Sequence, residues 1–360
     1  MPSPMERLCQ SLPKHAAALI EDSVSRRFLT GFSSSAGMLL LCREGARLYV
    51  DSRYIEAARR EVKLCPAAEL TDKKEQLLAF CGEFHCDTLL LERARVTVEH
   101  AERIRAWCGG SVRVNPRSPL LDDTLRELRL CKSAEALAAI QRAQGIAEAA
   151  FARLRGLLRP GMTELEIALE LDFAMRRGGA EAVAFDTIAV AGENGANPHG
   201  VPGARPLREG DLLTLDFGAV VEGYHSDMTR TLAIGVPVGE ARRVYDTVWE
   251  AQRAALAVIG PGVPCKAVDT AAREVIASAG YGEHFRHGTG HGVGLEVHEA
   301  PTLSAKSEEI LRPGNVVTVE PGIYIPGFCG VRIEDMVYIT EAGYENLTHV
   351  SARDFVVDVG

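Results

Sequence analysis

Five side chains in this chain have the types and the setting to hold cations: Asp216, Asp227, Glu320, Glu334 and His291. Each acid lies at or beside an apolar run. Asp216 sits in "LLTLDFG", Asp227 precedes "MTRTLAI", Glu320 closes "NVVTVE", and Glu334 falls in "VRIED". Alternate residues of a strand share a face, so Thr214 and Asp216 point one way while Leu215 and Phe217 point the other. Gly218 and Gly223 let the chain turn between Asp216 and Asp227, which sets both aspartates on one side of one sheet. Arg332 and Glu334, two apart on a return strand, repeat the device after the Pro/Gly-rich loop that follows Glu320. Four acids on apolar strands are costly to bury unpaired, and their mutual repulsion raises their pKa values further. Two divalent ions supply four positive charges against them, with Arg332 free to balance a bound hydroxide. An oxygen-rich set with one imidazole suits manganese, iron, cobalt or zinc. A pair of such ions about 3.5–4 Å apart is how hydrolases hold an activated water.

His291 belongs to "HGTGHGVGLEVHE" at 287–299. His287 and His291 are four apart, a spacing that suits zinc on a helix. The alternating glycines Gly288, Gly290, Gly292 and Gly294 oppose a helix, each by about 1 kcal/mol relative to alanine. An extended segment is expected instead. It carries His287, Thr289, His291, Val293 and Leu295 on one face, and the bare glycine face admits a close neighbour. His291 reaches the metals from there, and His287 and His298 remain for a substrate.

The elements that position these groups come in two copies. "LREGDLLTLDFG" (207–218) aligns without gaps on "LRPGNVVTVEPG" (311–322), with five of twelve residues identical and Asp216 opposite Glu320. Upstream, "RPGMTELEIALELDFAMRRGGA" matches "GPGVPCKAVDTAAREVIASAGY": a Pro-Gly turn, a helix, then glycine. Downstream, each copy enters another strand. A unit of about 100 residues occurring twice is too long for a solenoid, so two related halves facing each other are expected.

The 360 residues exceed what one core usually serves, which predicts two domains. Residues 28–54 show strand-like runs, "TDKKEQLLAFCGEF" is helical and "DTLLLE" is a strand, together a small α/β domain. From Pro119 the Ala/Leu/Arg/Glu texture predicts a long helix opening the second domain. Acids outnumber bases 49 to 40, a net charge of −9 that makes nucleic acid an unsuitable partner. No apolar run approaches a membrane span, and the N-terminus lacks a secretory pattern, so a cytoplasmic location is expected. The nine cysteines read as buried thiols.

In combination, "NPHG", "LDFGA", "SDMTRT", "HGTGHGVGLEVHE", "VEPGIY" and "VRIED" resemble the pita-bread-fold metallopeptidases, which include aminopeptidase P, prolidase, methionyl aminopeptidase and creatinase. The resemblance covers nearly the whole chain. It implies a creatinase-like α/β N-terminal domain over 1–125. Over 126–360 it implies an α+β pita-bread catalytic domain with an internal pseudo-twofold repeat. It further implies that Asp216, Asp227, His291, Glu320 and Glu334 ligate two divalent metals, manganese first, with cobalt, zinc or iron as alternatives. Asp227 and Glu334 would bridge them. In the expected reaction a hydroxide held between the metals attacks the carbonyl before proline, and Glu320 shuttles the proton. His298 stabilises the oxyanion, His199 bonds the substrate near the scissile bond, and His287 lines the proline pocket. Arg332 orients Glu334 or anchors substrate. "FLTGFSSSAG" and "DSRY" resemble the N-terminal domain of aminopeptidase P-like enzymes. The main expectation is therefore an Xaa-Pro aminopeptidase acting on peptides with proline second. Xaa-Pro dipeptidase (prolidase) is the alternative, and an inactive binding protein of the same fold is more remote. The resemblance also implies a homodimer.

Overall fold

The computed structural model describes residues 2–237 and 239–358. The chain forms two compact units that meet in sequence between Arg129 and Leu130. The first holds a six-stranded sheet ordered Ala67–Glu69, Ala46–Val50, Met38–Leu41, Ala16–Ile20, Thr88–Leu91 and Arg113–Asn115. Its strands are apolar on both faces because both are covered: Ile20, Leu39 and Leu41 enter one core, Leu19, Met38 and Leu40 the other. The expected strand texture over 28–54 is off at its start. Phe28 to Thr30 close a helix, Ser23–Thr30, which Asp22 caps at its N-terminus and Gly31 ends at φ 74°.

The expected long helix after Pro119 is two helices, Leu120–Leu130 and α1 (Ala134–Arg155). Ser133 starts the second by accepting a hydrogen bond from the Ala136 N–H. In the second unit α2 (Glu164–Arg177) begins at a reciprocal cap between Thr163 and Glu166. It is followed by β1 (Ile188–Ala191), β2 (Leu212–Phe217) and β3 (Met228–Ile234). Then come α3 (Gly239–Val258), α4 (Cys265–Ser278), β4 (Gly290–Gly292), β5 (Glu299–Leu303), β6 (Val316–Val319), β7 (Gly322–Ile325), β8 (Cys329–Arg332) and β9 (Asp335–Ile339).

The duplication is visible in this order. Helix α2, strand β2, a small hairpin at Ala219–Val221 and Tyr224–His225, and strand β3 answer to α4, β6, the β7/β8 hairpin and β9. In each copy the long strands pair antiparallel, β2 with β3 and β6 with β9. The apolar sides of both sheets, with Leu213, Leu215, Phe217, Val317 and Val319, join one core with Phe151 and Leu154 of α1 and Val248 of α3. Their polar sides are left to face one another. No helix among the described residues is long and apolar enough to cross a membrane.

Candidate metal centre

The four acids lie at the ends of the long strands, where the backbone leaves the ladder. Asp216 is next to last in β2, Asp227 immediately precedes β3, Glu320 immediately follows β6, and Glu334 immediately precedes β9. Arg332 and Glu334 do not share a return strand as their spacing suggested. Arg332 ends β8, and Ile333 and Glu334 form the link into β9.

Threonines on the polar face join the two halves. Thr214 Oγ1 donates to the Gly330 carbonyl at 3.1 Å, and the Arg332 N–H donates to Thr231 Oγ1 at 3.1 Å. The Glu334 N–H donates to the Thr229 carbonyl at 3.1 Å, and Thr229 Oγ1 donates to Glu334 Oε2 at 2.7 Å. Behind this seam the buried Arg230 donates to the Glu334 carbonyl at 2.6 Å and pairs with Asp335 at 2.7 Å. Carboxylates from both copies are thereby held on one small volume.

There Asp227, His291 and Glu334 each offer a ligand atom within 4.8 Å of the other two. His291 Nε2 is 3.2 Å from Glu320 Oε1 and 3.7 Å from Asp227 Oδ2. Its Nδ1 lies 3.1 Å from the Gly292 carbonyl, which fixes the ring with Nε2 turned to the acids. Burial, then repulsion among Glu334, Asp216 and Glu320, pushes Asp227 well above the usual carboxylate range. Burial, Glu320 and Asp216 do the same to Glu334. Glu320 goes the other way: burial opposes its ionisation, but the bond from His291 and the positive charges around it bring it down to about 2. The same bond outweighs burial at His291 and raises its pKa.

Arg332 turns its guanidinium on Asp216 Oδ2 at 2.5 Å, on the Tyr324 hydroxyl at 2.6 Å and on Thr229 Oγ1 at 3.1 Å. It touches Asp216 and not the Glu334 carboxylate. Asp216 Oδ1 remains a buried oxygen with no hydrogen-bond donor. Tyr324, whose hydroxyl burial pushes up to about 12, accepts from Arg332 and can donate to His287 Nε2 at 3.0 Å. His287 Nδ1 is satisfied by the Gly288 carbonyl at 2.7 Å, and burial lowers its pKa. Nothing local in the sequence marked Tyr324, which reads as an ordinary strand aromatic in "GIYI".

The glycine-rich segment is extended over only three residues, so the expected shared face does not run to Leu295. The chain leaves β4 after Gly292 and returns as β5. A Cβ on Gly290 would strike the Thr318 carbonyl and one on Gly292 the Ala300 carbonyl, so the close neighbours read from the bare face are the flanking strands. His298 comes from the bend between β4 and β5, where its ring centroid is 4.2 Å from that of His291. Partial burial and then the His291 ring lower its pKa. His199 stands on the loop after β1. All nine sequence-selected residues line one cavity of about 1170 Å³, together with Phe185, Val201 and Val297.

A donor-less buried oxygen on Asp216 and two carboxyls pushed upward by burial and then by neighbouring acids are what a set of cation ligands shows. The donors fit divalent ions: oxygen predominates, one imidazole nitrogen, His291 Nε2, is aimed at the acids, and no thiol takes part. Beside them is room for a substrate, with His199 and His298 placed to exchange hydrogen bonds with it and His287, tied to Gly288 and Tyr324, on the cavity wall.

Two family models match the chain, the Creatinase/Prolidase N-terminal domain over residues 13–131 and metallopeptidase family M24 over 138–341. The chain is 37% identical to an Xaa-Pro dipeptidase of Pyrococcus horikoshii, covering 92% of each chain. Among solved structures it resembles an Xaa-Pro dipeptidase from Bacillus anthracis, with TM-score 0.93 and 35% identity over 98% of this chain and 99% of that one. It also resembles an X-Pro aminopeptidase from Thermotoga maritima, with TM-score 0.88 and 37% identity over 95% and 97%.

Proposed function

Since the chain belongs to metallopeptidase family M24, a family of hydrolases, we propose that it is a two-metal Xaa-Pro dipeptidase, with manganese as its metal. The observation that carries this reading is the meeting of Asp216 and Asp227 from one half with Glu320 and Glu334 from the other around His291 Nε2. Those five residues would hold the cations. When bound, the cations polarise the scissile carbonyl and make a nucleophile available near neutral pH.

The remaining chemistry belongs to the chain. Glu320 takes the proton released by the nucleophile and returns it to the departing proline nitrogen. His298 donates to the oxygen on which charge develops, and His199 to the substrate beside the scissile bond. His287, held through Tyr324 and Arg332, lines the pocket for the proline ring. Arg332 holds Asp216 directly and reaches the Glu334 carboxylate through Thr229, in keeping with a part in orienting the acids. All five donors are present, so the reading as an inactive binding protein is set aside.

The sequence motifs led first to aminopeptidase P and longer peptides. The relatives support the dipeptidase alternative better, through the Pyrococcus and Bacillus anthracis proteins; the Thermotoga likeness favours the longer-peptide reading as a second. Chelator-treated protein should be assayed with and without manganese on Ala-Pro and on Ala-Pro-Pro. Manganese-dependent cleavage of Ala-Pro alone is expected. Cleavage of the tripeptide selects the second reading, and failure on both rejects the peptidase assignment.

A further inference from the structure

His199 is the one proposed substrate-facing histidine carried by a long loop. Its ring has no hydrogen-bond partner among the described residues; only its backbone N–H is tied, to Asn197 Oδ1 at 3.1 Å. Its placement therefore depends on the path of residues 192–203.

One buried side chain governs that path. Glu164, at the first position of α2 and 0% exposed, accepts from the Ala191 N–H at 2.8 Å, the Gly203 N–H at 3.1 Å and Asn194 Nδ2 at 3.1 Å. One carboxylate thus closes both ends and the first turn of the loop. The backbone reinforces the closure: the Glu164 N–H donates to the Arg205 carbonyl at 3.1 Å and the Leu165 N–H to the Gly203 carbonyl at 3.0 Å. A carboxylate at a helix N-terminus with three N–H donors is in its most favourable setting, and such charge-assisted bonds are about twice as strong as neutral ones. On the far side, Gly195 is pressed against Gly330 of β8, and the Pro198 carbonyl accepts from Arg332 at 3.4 Å. The loop is fixed between α2 and the strand that bears Arg332.

The other half has a counterpart. Buried Asp269 of α4 accepts from the Thr289 N–H and hydroxyl at 3.1 and 2.9 Å and pairs with Arg273, which donates to the His287 carbonyl at 2.9 Å. In each copy, then, a buried acid of the helix ties down the segment that carries a histidine to the cavity.

We propose that Glu164 is a positioning residue for the peptidase reaction, acting through the loop that sets His199 against the substrate. The inference rests on the Xaa-Pro peptidase reading for its kinetic arm only. Replacing Glu164 by Gln exchanges an all-acceptor group for one with a misplaced donor. Glu164→Gln should lower kcat/KM on the dipeptide by about tenfold, and Glu164→Ala by up to about 100-fold, the cost of roughly 1 Å of misplacement. In a His199→Ala background Glu164→Gln should cost less than about twofold, because the group it positions is gone. An equal loss in both backgrounds, or less than a twofold loss in the native one, overturns the proposal. Asn194→Ala, which keeps Glu164 and its helix intact, serves as a milder second variant with the same expected non-additivity. Independently of activity, hydrogen exchange at 192–203 should accelerate at least tenfold in Glu164→Gln. Unchanged exchange refutes the anchoring even where the peptidase reading stands, and faster exchange in a protein inactive on every peptide upholds the anchoring while the reading fails.

Discussion

Removing the metals should reverse the ordinary dependence of stability on pH. In the metal-free protein Asp227 and Glu334 are held above the usual carboxylate range, first by burial and then by acidic neighbours, Glu334, Asp216 and Glu320 for Asp227, and Glu320 and Asp216 for Glu334. A carboxyl whose native pKa is raised binds its proton more tightly folded than unfolded. Its contribution to stability is complete below the unfolded values near pH 4 and is lost as pH climbs through the native value. Each proton that the native site keeps and the unfolded chain releases costs about 1.4 kcal/mol per pH unit. For a unit of this size that is about 3–6 °C per pH unit. Glu320, at about 2, is ionised in both states across pH 5–8 and adds no slope. His291 is raised and adds to the loss with rising pH, whereas His287 and His298 are lowered and oppose it. Asp227→Asn isolates the carboxyl because it leaves all three histidines in place. In chelator, scanning fluorimetry from pH 5 to 8 should find Asp227→Asn at least as stable as the native protein at pH 8, with the advantage shrinking towards pH 5. Manganese at about 100 times its Kd should add about 2.7 kcal/mol to the native protein and much less to the variant. If chelated Asp227→Asn melts below the native protein at pH 8, or the difference does not change with pH, the repulsion argued from the four acids is wrong.

Arg332→Lys should lower kcat/KM by at least about 100-fold in steady-state assays, since a single ammonium cannot serve Asp216, Tyr324 and Thr229 in the geometry of the guanidinium. An activity within tenfold of native would dissociate this fork from catalysis. Lys132 and Glu299 form an ion pair at 2.6 Å with side chains only 4% and 8% exposed. Lys132→Met should cost about 3–5 kcal/mol in urea unfolding, and Lys132→Met with Glu299→Leu should recover most of it.

The residues that hold the site were legible where their signal was local or repeated. Period-2 alternation in "LLTLDFG" and the matching "NVVTVEPG" gave Asp216 and Glu320, and four alternating glycines ruled out a helix around His291. Alternation misled at Arg332 and Glu334, because it assumes an unbroken strand and the backbone steps out of one ladder into another between them. It misled again past Gly292, where a bend delivers His298. Glu164 was illegible for a different reason. Glu164 and Glu166 both read as first-turn acids of one helix, yet Glu166 closes an exposed cap on Thr163 and Glu164 is buried under a loop that it ties from Ala191, 27 residues later. Long-range pairing decides between two such neighbours, and no window of sequence contains it. Tyr324 and Thr229 owe their importance to partners in the same way.

The tight seating of β4 bears on how mutational scans of this enzyme should be interpreted. Alanine at Gly290 or Gly292 would force a methyl group into a neighbour's main chain, while alanine at His291 would merely delete an imidazole. Both would score as dead in an activity screen, though the first kind loses its shape and the second only its chemistry. Soluble yield and melting temperature, recorded beside turnover, would sort inactive variants of this motif into those two groups.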